Sequence, residues 1–248
     1  MRPSKLRKLI LLAGMAVFLV GAFFSQQHLN HQREVLGLTR ITPLENAPPL
    51  LAFTTKALGG FRGLIANALW IRATELQEQG KYFEMVQLAD WITKLEPKLS
   101  AVWVHLAWNM AYNISVKLND HHDRWLWVKR GIELLRDEAL KYNPKEPNLY
   151  RELAWFFQHK MGHFLDDAHN LYKVEWAREM TQLFGGPRPN FDELINPQTP
   201  EQVERARLLR ERYKMDPVAM KQVDEKYGPL EWRMAEPHPI YWAVVGLE

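Results

Sequence analysis

The chain has 248 residues, of which 47% are hydrophobic and 25% charged; these proportions are ordinary for a folded protein and exclude wholesale disorder. Its 32 basic and 29 acidic residues give a net charge of +3, and four basic residues precede the first apolar segment, so nothing indicates the basic face that nucleic-acid binding needs. The absence of cysteine excludes disulfides, thiolate metal sites and a cysteine nucleophile.

The N-terminal segment predicts a membrane anchor. Residues 9–24 (LILLAGMAVFLVGAFF) contain no charged or strongly polar side chain, and a backbone in hydrocarbon must satisfy its own hydrogen bonds, so we expect a helix. The preceding basic residues keep the N-terminus in the cytoplasm by the positive-inside rule. This predicts a single-pass protein of the inner membrane with its main domain on the exported side. A cleaved signal peptide is the alternative, because residues 20–22 (VGA) have the small-residue pattern of a cleavage site.

Glycine, proline and charge divide the chain into five parts. These are the basic end and anchor (1–24), a polar tether (25–48), helical repeats (49–184), a proline-rich linker (185–199), and two charged helices followed by an incomplete repeat-like helix (200–248). The last helix, 238–247, has an apolar face that needs a partner. We therefore expect that the chain continues beyond Glu248 or that this helix packs on something else.

Signals that end and open helices alternate along residues 66–184. A Gly-Lys-Tyr turn at 80–82 precedes an apolar-periodic helix that closes at Pro97, and a new helix opens at 100–107. Pro144 closes the next unit, and residues 148–154 open another. Because proline lacks an N–H and restricts the residue before it, this punctuation predicts consecutive helical hairpins.

This alternation resembles the tetratricopeptide family, whose repeat is a 34-residue helix–turn–helix. The resemblance implies an all-α solenoid of helical hairpins behind the N-terminal transmembrane helix. The residues that fit the family's structural positions are Gly80, Tyr82, Pro97, Trp103, Leu106, Ala107, Ala139, Pro144, Tyr150, Leu153 and Ala154. One unit is overlong, and its excess falls in the polar insertion at 114–123 (ISVKLNDHHD).

Three strings carry a second resemblance: 61–64 (FRGL), 82–91 (YFEMVQLADW) and 103–113 (WVHLAWNMAYN). They are similar to uncharacterised membrane-anchored repeat proteins of Verrucomicrobia and related bacteria. This resemblance supports the architecture of anchor and repeats, and it implies no activity.

The tetratricopeptide resemblance also implies a concave groove lined by the first helix of each repeat. Aligning the repeats places Trp70, Thr74, Gln77, His105, Trp108, Arg151, Trp155 and Gln158 in that groove. Tryptophan and arginine often dominate binding energy, so Trp108→Ala is expected to weaken binding with little loss of stability. Alternatively, the tryptophans are structural and covered by the C-terminal helices, because aromatic stripes are commonly core.

The histidines offer the main candidate for chemistry. His159 and His163 are four residues apart, and with His169 they could bind zinc, so the alternative function is a metal-binding protein or metal-dependent enzyme. Against this, Lys160 replaces the glutamate of the zinc-protease motif, and Gly162 is expected to end the helix. A weaker candidate at residues 121–123 (HHD) is better explained as a helix start capped by Asp123.

No nucleophile elbow, Walker loop or dinucleotide-binding glycine pattern occurs in the sequence. We therefore expect a non-enzymatic adaptor or scaffold of the bacterial cell envelope that needs no cofactor or metal. Its expected partner is another protein or peptide segment, in the envelope or the membrane, and not nucleic acid. Self-association is a further alternative.

Overall fold

The computed structural model describes residues 3–36 and 62–247, and all regular structure in these ranges is helical. The α-helices are α1 (Pro3–Val35), α2 (Arg62–Glu78), α3 (Tyr82–Leu95), α4 (Ser100–Trp108), α5 (His121–Glu133), α6 (Pro147–Trp155), α7 (His169–Phe184), α8 (Phe191–Ile195), α9 (Pro200–Glu211), α10 (Pro217–Tyr227) and α11 (Pro237–Val245). Three π-helical segments, Asn109–Ile114, Leu134–Ala139 and Phe156–Met161, continue α4, α5 and α6, and short turns of helix follow at Ser115–Lys117 and Leu140–Tyr142. The predicted all-α class is confirmed, and the tetratricopeptide solenoid stays a prediction.

The chain divides into two compact units. The first comprises Met1–Ala68 and Lys94–Glu96, and the second comprises Leu69–Thr93 and Pro97–Glu248. In the first unit, Leu11–Gln32 is long and apolar enough to cross a membrane or to act as a signal sequence. Helix α1 continues to Val35, so the predicted tether begins as helix. Residues 37–61, which hold the rest of the tether and the predicted start of the repeats, lie outside the described residues.

The second unit is built from helices that pack on their neighbours in the chain. Helix α5 packs on α4 and its π-helical continuation, α6 packs on α4, and α7 packs on α5. A close approach occurs at Gly131 of α5, where a Cβ atom would lie 3.0 Å from the carbonyl oxygen of Ala107 and 3.2 Å from Phe156. Ala107 is fully buried. Small residues at this crossing therefore let the two helices approach closely.

Helices α4 and α6 share a local design. Each has nine residues and runs into a six-residue π-helical segment. The side chain of Trp103 in α4 donates a hydrogen bond to the carbonyl of Pro97, six positions before it, and Tyr150 in α6 makes the corresponding bond to Pro144. The proline that closes one predicted unit thus accepts from the aromatic residue that opens the next.

The linker and the charged helices differ in detail from the prediction. Gly185 ends α7 in the left-handed conformation (φ 68°), as expected of a glycine stop. The linker at 185–199 contains the short helix α8, because Asn190 caps its N-terminus and Leu194 is buried beneath it. Asp120, rather than Asp123, caps α5. The first charged helix ends at Glu211.

The final helix, α11, packs mainly on α6 and also on α10. Tyr241 and Trp242 are each 2% exposed. The approach to α6 is close, since a Cβ atom at Gly246 would lie 2.4 Å from the Cβ of Tyr150. The apolar face that the sequence left without a partner is thus covered within the described part of the chain.

Candidate binding groove

Rings from α4 and α6 meet at the surface of the second unit. Trp108 stacks on Tyr112 with ring centroids 4.3 Å apart, and Trp155 stacks on His159 at 4.7 Å. The hydroxyl of Tyr112 lies 3.2 Å from Nδ1 of His159 and joins the two pairs. Tyr112 and His159 are 47 positions apart, the separation that also relates Pro97 to Pro144. These four residues form the aromatic row.

All eight residues predicted for the groove reach the surface. Trp155 is 40% exposed, so the C-terminal helices do not cover it. Trp70 packs against His105 with ring centroids 5.0 Å apart. The exposed members of the set are Thr74, Arg151, Trp155 and Gln158, and the half-buried members are Trp70, Gln77, His105 and Trp108.

Trp108 is held by a carboxylate that sequence reasoning missed. Its indole N–H donates to Oε2 of Glu152 at 2.7 Å, and Arg151 donates to the other oxygen at 2.7 Å. Glu152 is only 6% exposed. Burial, followed by the negative charge of Glu152, raises the pKa of Tyr112. Trp108 is therefore a structural residue as well as a surface residue, and from this contact we expect Trp108→Ala to cost stability as well as binding.

A groove runs between α6 and α11. It has two adjoining parts with volumes of about 640 and 550 Å³, and both parts are lined by Gln158, Pro239, Ala243 and Leu247. The first part extends to Phe157 and His163, and the second to Arg151, Ala154 and Trp155. We call this feature the α6–α11 groove. Sequence reasoning found its α6 wall but not α11, although it marked that helix as needing a partner.

The residues predicted to be structural fall into three groups. Trp103, Leu106, Ala107, Ala139 and Leu153 are buried; Tyr82, Pro97, Tyr150 and Ala154 are half-buried; and Gly80 and Pro144 are exposed. Gly80 lies between α2 and α3 with φ 71°, a conformation that favours glycine. Ala154, which fits a structural position of the repeat as Ala107 does, lines the α6–α11 groove.

The histidines do not assemble a metal site. Within the described ranges, no group of three or more His, Cys, Asp or Glu residues could hold a metal ion, so His159, His163 and His169 do not form the predicted ligand set. The rings of His159 and His163 stack with centroids 5.9 Å apart. Burial, helped by the nearby His163 and Lys160, lowers the pKa of His159.

Lys160 stands where the zinc-protease motif has a glutamate, and in this protein it has a structural role. It is 3% exposed, and its ammonium group donates to Oδ2 of Asp166 at 2.5 Å. The backbone N–H of Ala168 donates to the other carboxylate oxygen at 2.9 Å. Burial alone would raise the pKa of Asp166, but these hydrogen bonds and the charge of Arg124 outweigh it and lower the pKa. Asp166 is thus a buried anion.

No family model, curated protein or solved structure matches the chain. The functional argument therefore rests on the groove and the aromatic row themselves.

Proposed function

We propose that the protein is a membrane-anchored, non-enzymatic adaptor that holds an uncharged, apolar segment of another protein in the α6–α11 groove. The observation that carries this proposal is the exposed ring of Trp155, which belongs to the aromatic row and also stands in the groove wall. A tryptophan in such a position is the type of residue that most often dominates a protein interface.

The lining of the groove indicates the chemistry of the segment. Its walls combine apolar surface from Ala154, Pro239, Ala243 and Leu247 with two side-chain amides, at Asn148 and Gln158. Apolar walls bury the side chains of a bound segment, and a side-chain amide can hydrogen-bond to its backbone.

The charged residues at the groove already have partners within the protein. Arg151 pairs with Glu152 at 2.7 Å, and Glu236 lies 4.0 Å from Lys173. A charged ligand would have to compete with these pairs and would be desolvated on binding. This favours a segment without charge.

The N-terminal helix supports placement beside a membrane. Leu11–Gln32 has the length and composition of a membrane span. The basic residues before it favour a cytoplasmic N-terminus, which would put the second unit on the exported side of the inner membrane. The adaptor would then bind a segment of an envelope or membrane protein.

Site-specific photocrosslinking in cells tests the proposal. A photoreactive amino acid replaces Gln158 in the groove, and a matched control replaces Val203 of α9, which is 50% exposed. Mass spectrometry of the crosslinked peptide identifies the captured segment. A synthetic copy of that segment is then titrated against the full-length protein.

The expected result is an apolar segment crosslinked at position 158 but not at 203, whose affinity falls at least about tenfold in Trp155→Ala. The same captured proteins at both positions, or an affinity unchanged by Trp155→Ala, would overturn the proposal. Crosslinks from position 158 to a second copy of the chain would show self-association instead.

A further inference from the structure

We propose that one edge of the second unit lies on a lipid surface, with Phe164 and Leu165 inserted at the level of the headgroups. The edge consists of the loops that join α2 to α3 (residues 79–81), α4 to α5 (115–120) and α6 to α7 (162–168). We call it the loop edge. This inference rests on the membrane anchoring in the proposed function, and it concerns Phe164 and Leu165, which do not line the α6–α11 groove.

Large apolar side chains protrude from the loop edge. Phe164 is 74% and Leu165 is 67% exposed, and they are consecutive residues. Val116 of the neighbouring loop is 44% exposed, and Phe83 in the first turn of α3 is 53% exposed. Single exposed apolar residues are ordinary, but several on adjoining loops mark a surface that contacts something apolar.

Direct contacts place the three loops side by side. Arg124 donates from Nε to the carbonyl of Leu118 at 2.9 Å in one loop and pairs with Asp166 and Asp167 in the next. Lys117 lies 6.0 Å from the ring centroid of Tyr82, the residue that follows the remaining loop. The protruding side chains therefore belong to one edge.

The pair Phe164–Leu165 stands on a fixed base. The next residue is Asp166, which is held by Lys160 at 2.5 Å, by the N–H of Ala168 at 2.9 Å and by the hydroxyl of Tyr172 at 3.3 Å. The ring of His163 stacks on that of Phe164 with centroids 4.3 Å apart. A loop secured by a buried ion pair keeps its apolar tip in water instead of folding it inward.

The shape of this tip favours lipid over a folded protein partner. The two side chains protrude from a loop, and neither of them lines the adjoining α6–α11 groove. Aromatic side chains are favoured at the boundary between headgroups and hydrocarbon. Because α1 would hold this unit beside a bilayer, a lipid surface is the apolar environment close at hand.

The charges of the loop edge suit a zwitterionic surface. Lys81 and Lys117 are exposed and basic, while Asp120 and Asp167 are exposed and acidic. Asp120 caps α5, and Asp167 pairs with Arg124. The charges balance within the edge, so the apolar side chains would supply the attraction rather than anionic lipid.

Depth-dependent quenching tests this inference on the full-length protein. Since the natural chain has no cysteine, Phe164→Cys introduces a single site for an environment-sensitive fluorophore. The labelled protein is placed in phosphatidylcholine nanodiscs without quencher, with lipids that carry a quenching nitroxide near the headgroup, or with lipids that carry it in the acyl chain.

Two further single-cysteine variants serve as references. Leu99→Cys replaces an apolar side chain that is 49% exposed. Leu99 lies just before α4, at the opposite end of that helix from residues 115–120. The 14 residue steps from Ser100 to Ile114 correspond to roughly 20 Å along a helix. Val17→Cys lies in α1, within the possible membrane span.

The expected result is strong quenching at position 164 by the headgroup nitroxide, strong quenching at position 17 by the acyl-chain nitroxide, and none at position 99 by either. Quenching at 17 but not at 164 would overturn the lipid contact and leave the anchor intact. Absence of quenching at 17 would overturn the anchor, and with it this inference, while the groove remained testable with its captured peptide. Equal quenching at 99 and 164 would overturn the assignment of this particular edge.

Discussion

The indole N–H of Trp103 donates to the carbonyl oxygen of Pro97 at 3.0 Å, and this carbonyl also accepts from the side chain of Asn143 at 2.8 Å. Proline cannot continue a helix ladder, so the carbonyls before and at the break need other partners. Here an aromatic residue and an amide supply them. The end of α3 is thereby tied to the start of α4 and to the end of the following helix.

This relationship predicts unequal effects of two matched substitutions. Tyr150→Phe removes only the bond to Pro144, at a half-buried site, and should cost about 1 kcal/mol. Trp103→Phe removes the bond to Pro97 and also leaves space beside a side chain that is 3% exposed, so it should cost about 2 kcal/mol or more. Chemical unfolding followed by circular dichroism measures both. A larger loss for Tyr150→Phe would contradict the equivalence drawn between the two sites.

The crossing of α4 and α5 makes a second prediction. Gly131→Val should destabilise the protein by about 1–3 kcal/mol, because its side chain would press on the Ala107 carbonyl and on Phe156. Gly63→Ala is the control, since nothing lies within 4 Å of a Cβ atom there and alanine favours a helix. The melting temperature should fall in Gly131→Val and should stay the same or rise in Gly63→Ala. Equal melting temperatures would show that this crossing tolerates a larger residue.

Residues that end or cap helices made much of the fold predictable from the sequence. The end of α7 at Gly185 and the bounds of α10 follow from glycine, proline and a capping aspartate. The π-helical segments carry no such local signal. Nor do the burial of Glu152 and the pairing of α6 with α11, because these depend on residues far apart in the chain: Trp108 is 44 positions from Glu152. One wall of the groove was therefore predictable and the other was not.

Trp155 and Trp108 should separate binding from stability. Trp155→Ala removes a ring that is 40% exposed, so it should change the free energy of unfolding by less than about 1 kcal/mol. The affinity for the captured segment should fall at least about tenfold. Trp108→Ala should also cost about 1–3 kcal/mol of stability, because Glu152 loses a donor while buried. Peptide titration and chemical unfolding of both variants provide the test. Stability losses of equal size would contradict the different placement of the two rings.

The ion pair beneath the loop edge predicts a large effect at Asp166 and a small one next to it. Asp166→Ala leaves the ammonium group of Lys160 buried without its anion and should cost about 3–5 kcal/mol. Asp167→Ala should cost less than about 1 kcal/mol, because the Asp167 side chain is 71% exposed. Adding Lys160→Met to Asp166→Ala should restore part of the loss. If the double variant is no more stable than Asp166→Ala, burial of an unpaired charge is not the cause.

The burial of His238 leads to a prediction of how the free energy of unfolding depends on pH. Its ring is fully buried, accepts a hydrogen bond from the indole of Trp176 at 2.9 Å and stacks on Phe157 with centroids 4.9 Å apart. Burial lowers its pKa to about 3, against 6.5 for the free side chain. Between these values the unfolded chain binds a proton that the folded protein does not. The stability that His238 contributes is therefore complete above pH 6.5 and is lost as the pH falls towards 3.

The matched variant for this prediction is His238→Gln, whose amide can still accept from Trp176 but does not titrate. Between pH 6.5 and pH 5 the natural protein should lose about 2 kcal/mol of unfolding free energy relative to the variant. The other histidines and the carboxylates are common to both proteins, so their contributions cancel in the difference. Urea unfolding at closely spaced pH values measures it. Parallel pH profiles would mean that His238 becomes protonated in the folded protein near its ordinary pKa, and the ring would then have to be accessible to water in spite of its position among Phe157, Trp176 and Trp232.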